Sequence, residues 1–142
     1  ARFDAKKRTY LYLLTQTRSP FYKNYSYFYP RKIDLQKLNL LCNLFLGEKD
    51  FTSFSKKNSE IENKNCNIYK AYWRQKGEVI LFSIQASRYL HGMVRTIVGT
   101  LLNAQDQHDP KTFIQEIFNS QNREEAFESV PAKGLFLYKV EY

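Results

Sequence analysis

Two hydrophobic periods alternate along this chain. Thr9 to Gln16 (TYLYLLTQ) is rich in β-branched and aromatic residues and predicts a strand, with Tyr10 and Tyr12 on one face and Leu11 and Leu13 on the other. CNIYKAYWRQ (66–75) and EVILFSIQAS (78–87) predict two more strands, joined as a hairpin at Lys76-Gly77. In the second of these, Ile80, Phe82, Ile84 and Ala86 share a face. Leu135 to Tyr142 predicts a last strand after the turn SVPAKG. The period lengthens to that of a helix in three places. Asp34 is a good N-cap for a helix running to Leu46, with Leu35, Leu38, Leu41, Cys42 and Phe45 as its stripe and Gly47 as its stop. Tyr89 to Ala104 carries an unbroken i, i+3, i+4 stripe of Leu90, Met93, Val94, Ile97, Val98, Leu101 and Leu102. A third helix starts near Asp109-Pro110, with proline in its first turn, and buries Phe113, Ile114, Ile117 and Phe118. Strands and helices are interspersed without a βαβ repeat. The expected class is therefore α+β, one domain over 1–142, with a largely antiparallel sheet and helices packed on one face.

Two stretches escape both periods. A predicted loop from Thr17 to Lys32 sets six aromatic rings, between Pro20 and Pro30, among lysine and arginine. Such rings can stack on bases or pack against their own domain, and the length of the loop favours packing. KKNSEIENKN (56–65) is polar throughout and predicts a flexible connector. Aromatic residues make up 16% of the chain, more than a core of 142 residues needs. Cys42 and Cys66 have no CxxC partner and no adjacent histidine. They read as buried thiols of a reducing compartment rather than zinc ligands or a disulfide. The longest apolar run is too short to cross a membrane, and ARFDAKKRTY is no signal peptide, so a cytoplasmic protein is expected.

Charge narrows the class of partner. Lysine and arginine outnumber the acids 22 to 14, a formal net charge of +8. Such a surplus attracts polyanions, nucleic acid foremost, although a merely solvated basic surface gives the same number. Arg95 stands out because it sits just beyond the apolar stripe of a helix otherwise devoted to burial. His91 lies one turn before it and Gly99 one turn after, so the three are expected on one flank. A mid-helix glycine costs about 1 kcal/mol relative to alanine and commonly marks close approach by a backbone or ligand. The alternative is an arginine paired at the rim of the core, with Gly99 easing helix packing. His91 and His108 lack partners at metal-ligand spacing, and there is no phosphate-binding glycine loop, GxSxG or close acidic pair. The residues taken alone describe a basic, aromatic-rich domain without a catalytic constellation.

HGMVRTIVGTLL (91–102) resembles the HMVRNIVGTLL signature of the tRNA pseudouridine synthase A family. Other blocks follow in the same order. FDAKKRTYLYLL resembles the family segment ending in R-x-Y-x-Y, and GEKDFTSFSK its G-x-x-D-F-x-x-F block. EVILFSIQASRYLHGMVR is similar to the strand leading into the signature helix, and SVPAKGLFLYKVEY to its A-P-x-x-G-L-x-L close. The resemblance implies a fold of pseudouridine synthase type and isomerisation of uridine to pseudouridine in the anticodon stem-loop of tRNA. It also implies a homodimer and requires no cofactor and no metal. Two roles carry over. Tyr10 matches the tyrosine that partners the target uracil, and Arg95 the arginine that pairs with the nucleophilic aspartate. His91 and Arg8 are candidate RNA contacts. Gly92 departs from the histidine usual before the methionine, and Thr96 from a frequent asparagine. The family's GRTDxGVH motif, which supplies the aspartate, does not occur here. With the abrupt opening at Ala1, this suggests a part cut from a longer protein and inactive alone. The rival readings are a non-catalytic RNA-binding module and a basic protein-interaction domain.

Overall fold

The computed structural model describes residues 6–56, 63–123 and 129–142. The first residues of the R-x-Y-x-Y block, from Phe3 to Ala5, and most of the polar connector lie outside them. Six strands form one sheet: β1 (Lys7–Thr15), β2 (Tyr27–Phe28), β3 (Gly47–Asp50), β4 (Asn65–Lys76), β5 (Val79–Ala86) and β6 (Leu135–Glu141). The order is β2-β1-β5-β4-β3, with β6 also on β1. Every pairing is antiparallel except β1 with β2. β6 runs beside β1 from Lys7 to Tyr12, and β2 occupies the same edge at Leu14 and Thr15. The helices are α1 (Leu35–Cys42), α2 (Met93–Ala104) and α3 (Pro110–Ser120). None of them is long and apolar enough to cross a membrane.

The hydrophobic pattern selects the faces. Tyr12 and Leu14 of β1 and Ile80, Phe82, Ile84 and Ala86 of β5 are buried against the helices, as are Ile68 and Trp73 of β4. On β1 it is Tyr12 that turns fully inward, while Tyr10, Leu11 and Leu13 are half-exposed. An inward phenol needs an acceptor, and the Tyr12 hydroxyl donates to the Pro131 carbonyl. Asp34 caps α1 by accepting from the Lys37 amide at 3.0 Å, and Asp109 caps α3 by accepting from the Thr112 amide at 3.3 Å. Asn39 on α1 bonds both the N–H and the C=O of Trp73, at 2.6 and 3.0 Å, and so satisfies a stretch of β4 that lies beyond β3. Burial pushes the Cys42 thiol up to about 12 and the Cys66 thiol to about 11, and both cysteines are free.

Several boundaries differ from the sequence expectation. α1 stops at Cys42 and tightens into a 3-10 turn at Asn43–Phe45, instead of continuing to Leu46. Gly47, at φ +90°, opens strand β3 rather than simply ending a helix. The hairpin turn is shifted by one residue, with Gly77 at φ +61° between Lys76 and Val79. α2 begins at Met93, not Tyr89, because Gly92 adopts a left-handed conformation (φ +75°) that no helix can continue through.

Candidate active site

The late start of α2 builds the site. Residues Tyr89 to Gly92 form a turn that carries the chain from the end of β5 to the first turn of α2. The Tyr89 hydroxyl ties this turn to the sheet, lying 2.7 Å from the Arg8 carbonyl and 2.9 Å from that of Ile84. Burial first, then the neighbouring Tyr10, raises the Tyr89 phenol well above the ordinary tyrosine range, so it stays neutral. The Tyr89 ring meets Tyr10 edge to face, with centroids 4.9 Å apart and planes at 83°. Thr96 stabilises the turn from the helix side, its hydroxyl donating to the Gly92 carbonyl at 2.9 Å. The His91 carbonyl accepts from the Lys56 amide at 2.9 Å.

Around this turn lie two cavities with Arg95 between them. The first, of about 460 Å³, has Tyr10, Tyr89, His91 and Arg95 in its walls and Ala132 and Leu135 on the side of β6. The second, of about 310 Å³, is lined by Lys56, Arg123, His91, Thr96 and Ser129 together with Arg95. No carboxylate lines either cavity among the described residues. The Arg95 Nε donates to the Val130 carbonyl at 2.8 Å, and the Val130 amide returns a bond to the Arg95 carbonyl at 3.3 Å. This reciprocal clamp aims the guanidinium. Its two terminal nitrogens have no hydrogen-bond partner among the described residues, so a planar two-pronged donor is left for a carboxylate or phosphate.

The structure thus brings together Tyr10, His91 and Arg95, but not in the expected way. His91 is not on the helix flank; it is exposed in the turn, at the mouths of both cavities. Gly99 faces elsewhere, in a cavity shared with Tyr27, Tyr29 and Leu102, where the aromatic loop comes close to α2. Arg8 lines neither Arg95 cavity; it pairs with Ala86 and Val140 in the sheet, and its carbonyl accepts from the Tyr89 hydroxyl. Tyr89 itself was missed. The apolar stripe predicts a helix that starts at Tyr89, and only the left-handed Gly92 reveals that Tyr89 stands outside it.

A tyrosine-walled recess beside an aimed guanidinium suits a flat, hydrogen-bonding ring next to an anion. It lies on a mostly antiparallel sheet with three helices, an α+β architecture consistent with a fold of pseudouridine synthase type. A model of the family described as tRNA pseudouridine synthase matches residues 41–142, and the chain belongs to that family. Over 142 residues it is 39% identical to the tRNA pseudouridine synthase A of Parabacteroides distasonis, an alignment covering 100% of this chain and 56% of that protein. The protein of the same name from Bacteroides fragilis is 41% identical over 143 residues, covering 100% and 57%. That of Brachyspira hyodysenteriae is 38% identical over 139 residues, covering 96% and 56%. The chain spans a little over half the length of these relatives.

Proposed function

We propose that this chain is the part of a tRNA pseudouridine synthase that holds the target uridine and aims the nucleophile, in an enzyme that converts uridine to pseudouridine in the anticodon stem-loop. The carboxylate comes from a stretch of protein outside residues 1–142. The observation that carries this reading is Arg95, whose terminal nitrogens have no partner among the described residues and which lies at the junction of a tyrosine-walled cavity and a cationic one. In the reaction the carboxylate adds to the nucleotide and the N1–C1′ glycosidic bond breaks. The uracil turns against the Tyr10 face, C5 bonds to C1′, the bond to the carboxylate breaks so that it is released, the C5 proton is lost and N1 ends protonated. The guanidinium keeps the carboxylate ionised by lowering its pKa, and it holds its own charge at any working pH. Tyr10 offsets part of the stacking lost when the base leaves its stem. Lys56, Arg123 and His91 around the second cavity suit the phosphates flanking the extruded nucleotide. The assembly is a cytoplasmic homodimer in this reading.

Arg95→Leu in the complete enzyme tests it. Turnover on unmodified tRNA should fall at least about 100-fold, with tRNA affinity largely kept. Near-wild-type turnover would remove the ion-pair role. A non-catalytic RNA-binding module is the second reading, favoured by the lack of any carboxylate in the described walls. Both readings predict no isomerisation by residues 1–142 alone. An upstream GRTD segment in the gene decides for the enzyme.

A further inference from the structure

At the far end of β1 the aromatic loop closes a further cavity, of about 310 Å³, that the proposed chemistry does not use. The loop is fixed in place. The Tyr29 amide bonds the Thr15 carbonyl at 2.8 Å, the Ser26 hydroxyl donates to the Tyr22 carbonyl at 2.8 Å, and Tyr25 packs on Phe136 of β6 with ring centroids 6.5 Å apart. Three cations, Arg18, Lys23 and Lys133, reach the cavity together with the buried hydroxyls of Thr15 and Ser26, and no carboxylate lines it among the described residues. The Arg18 guanidinium lies over the Phe28 ring, 4.4 Å from its centroid. Stacking holds the fork in one plane and leaves its N–H edge for an anion. Like charges gathered without an acid repel one another, and an anion relieves this.

Two further observations choose the anion. Phe21 is 81% exposed and Tyr25 55%, so bare rings stand on the same loop as the cations. Rings interleaved with cations are what a single nucleic-acid strand needs, its bases stacking while its phosphates are neutralised. The other observation is position. Lys133 comes from the turn Ala132–Gly134, whose Ala132 lies in the wall of the Arg95 cavity. Consecutive residues, with Cα atoms ~3.8 Å apart, therefore border both cavities. We infer that this cavity beside Arg18 holds a backbone phosphate of the RNA strand whose nucleotide enters the Arg95 cavity, with Phe21 as a stacking face for a nearby base. This rests on the RNA-binding part of the proposed function.

The test is binding of unmodified tRNA by this chain, followed by fluorescence anisotropy between about 50 and 200 mM salt. Arg18→Ala with Lys133→Ala should weaken binding and reduce the slope of log K against log salt by at least about 0.7, the value for one single-strand phosphate. Lys133→Arg alone should keep the slope. Phe21→Ala should weaken binding about 5-fold or more at unchanged slope. Arg18, Lys133 and Phe21 are exposed, so unchanged melting temperatures check that the fold is intact. If wild type binds with a steep slope and the double variant matches it, this inference falls and the RNA-binding reading stands. If wild type shows no salt-dependent binding, both fall. Saturable binding of inorganic phosphate alone, lost in the double variant while the tRNA slope stays, would make the cavity a free-anion site and overturn the RNA assignment.

Discussion

Two regions of this molecule are built from aromatic rings, and they use them in opposite ways. Phe45, Phe51, Phe54 and Phe118 form one cluster, with centroids 4.9–5.9 Å apart in edge and tilted contacts. The first three are fully buried. Along the β1 edge the rings are tyrosines at different depths: Tyr12 inside, Tyr10, Tyr27 and Tyr29 half-covered, Tyr25 largely bare. Phenylalanine has no polar atom to satisfy and can be enclosed on all sides. A tyrosine needs an acceptor or water, which keeps it near a boundary. The DFTSF block therefore reads as a stability element even though it lies inside a family motif, whereas the tyrosine edge is where ligands can arrive.

The sharpest way to break this contrast is Phe54→Ala. Emptying the phenylalanine cluster should cost about 3–5 kcal/mol in denaturant unfolding, and a cost under about 1 kcal/mol would deny the cluster its structural role. Next is Gly134→Ala. A Cβ there would sit 2.8 Å from the Leu13 carbonyl oxygen and 2.9 Å from the Tyr12 ring, so a loss of about 1–3 kcal/mol is expected, with the turn displaced from β1. Alkaline pH probes the interior. Each buried thiol has a folded pKa above its unfolded value, so its contribution is intact below about pH 9. That contribution is lost as pH climbs towards 11 for Cys66 and 12 for Cys42, by up to about 1.4 kcal/mol per pH unit per thiol. Unfolding free energy measured from pH 8 upward should show the decline, and Cys42→Ala should flatten it. The smallest effect belongs to Tyr89→Phe, which keeps the ring against Tyr10 and removes the hydroxyl. About 1 kcal/mol should go in thermal unfolding, because the Arg8 and Ile84 carbonyls lose their donor.

Strongly periodic segments were legible in advance. The stripe of α2, the alternation of β5 and the caps Asp34 and Asp109 all declare themselves through spacing and local hydrogen bonding. β3 does not, because GEKD has no alternation and becomes a strand only by pairing with β4. β2 is two residues long and exists only because Tyr27 and Phe28 meet the end of β1. At the site, Arg95 and Tyr10 could be found from the motifs that contain them. His91 was found too, but placed on the wrong element, since one backbone angle at Gly92 separates a helical turn from a connecting one. Tyr89 and the cavity around Arg18 were invisible for a related reason. They depend on contacts between segments far apart in the chain, and no local period encodes those. The loop at 17–32 packs in part, as its length favours, since Tyr27 and Tyr29 lie on the core while Phe21 stands exposed.

The glycine wedged beneath the last turn has one more consequence. With no side chain of its own, Gly134 lets that turn rest directly on β1. A guest that nudges the turn from one side would alter its fit to a guest on the other, and thermodynamic reciprocity requires the two influences to be equal in size. Occupancy of one cavity would then be felt at the other as a change in grip, carried by the three residues Ala132–Gly134 rather than by the whole domain.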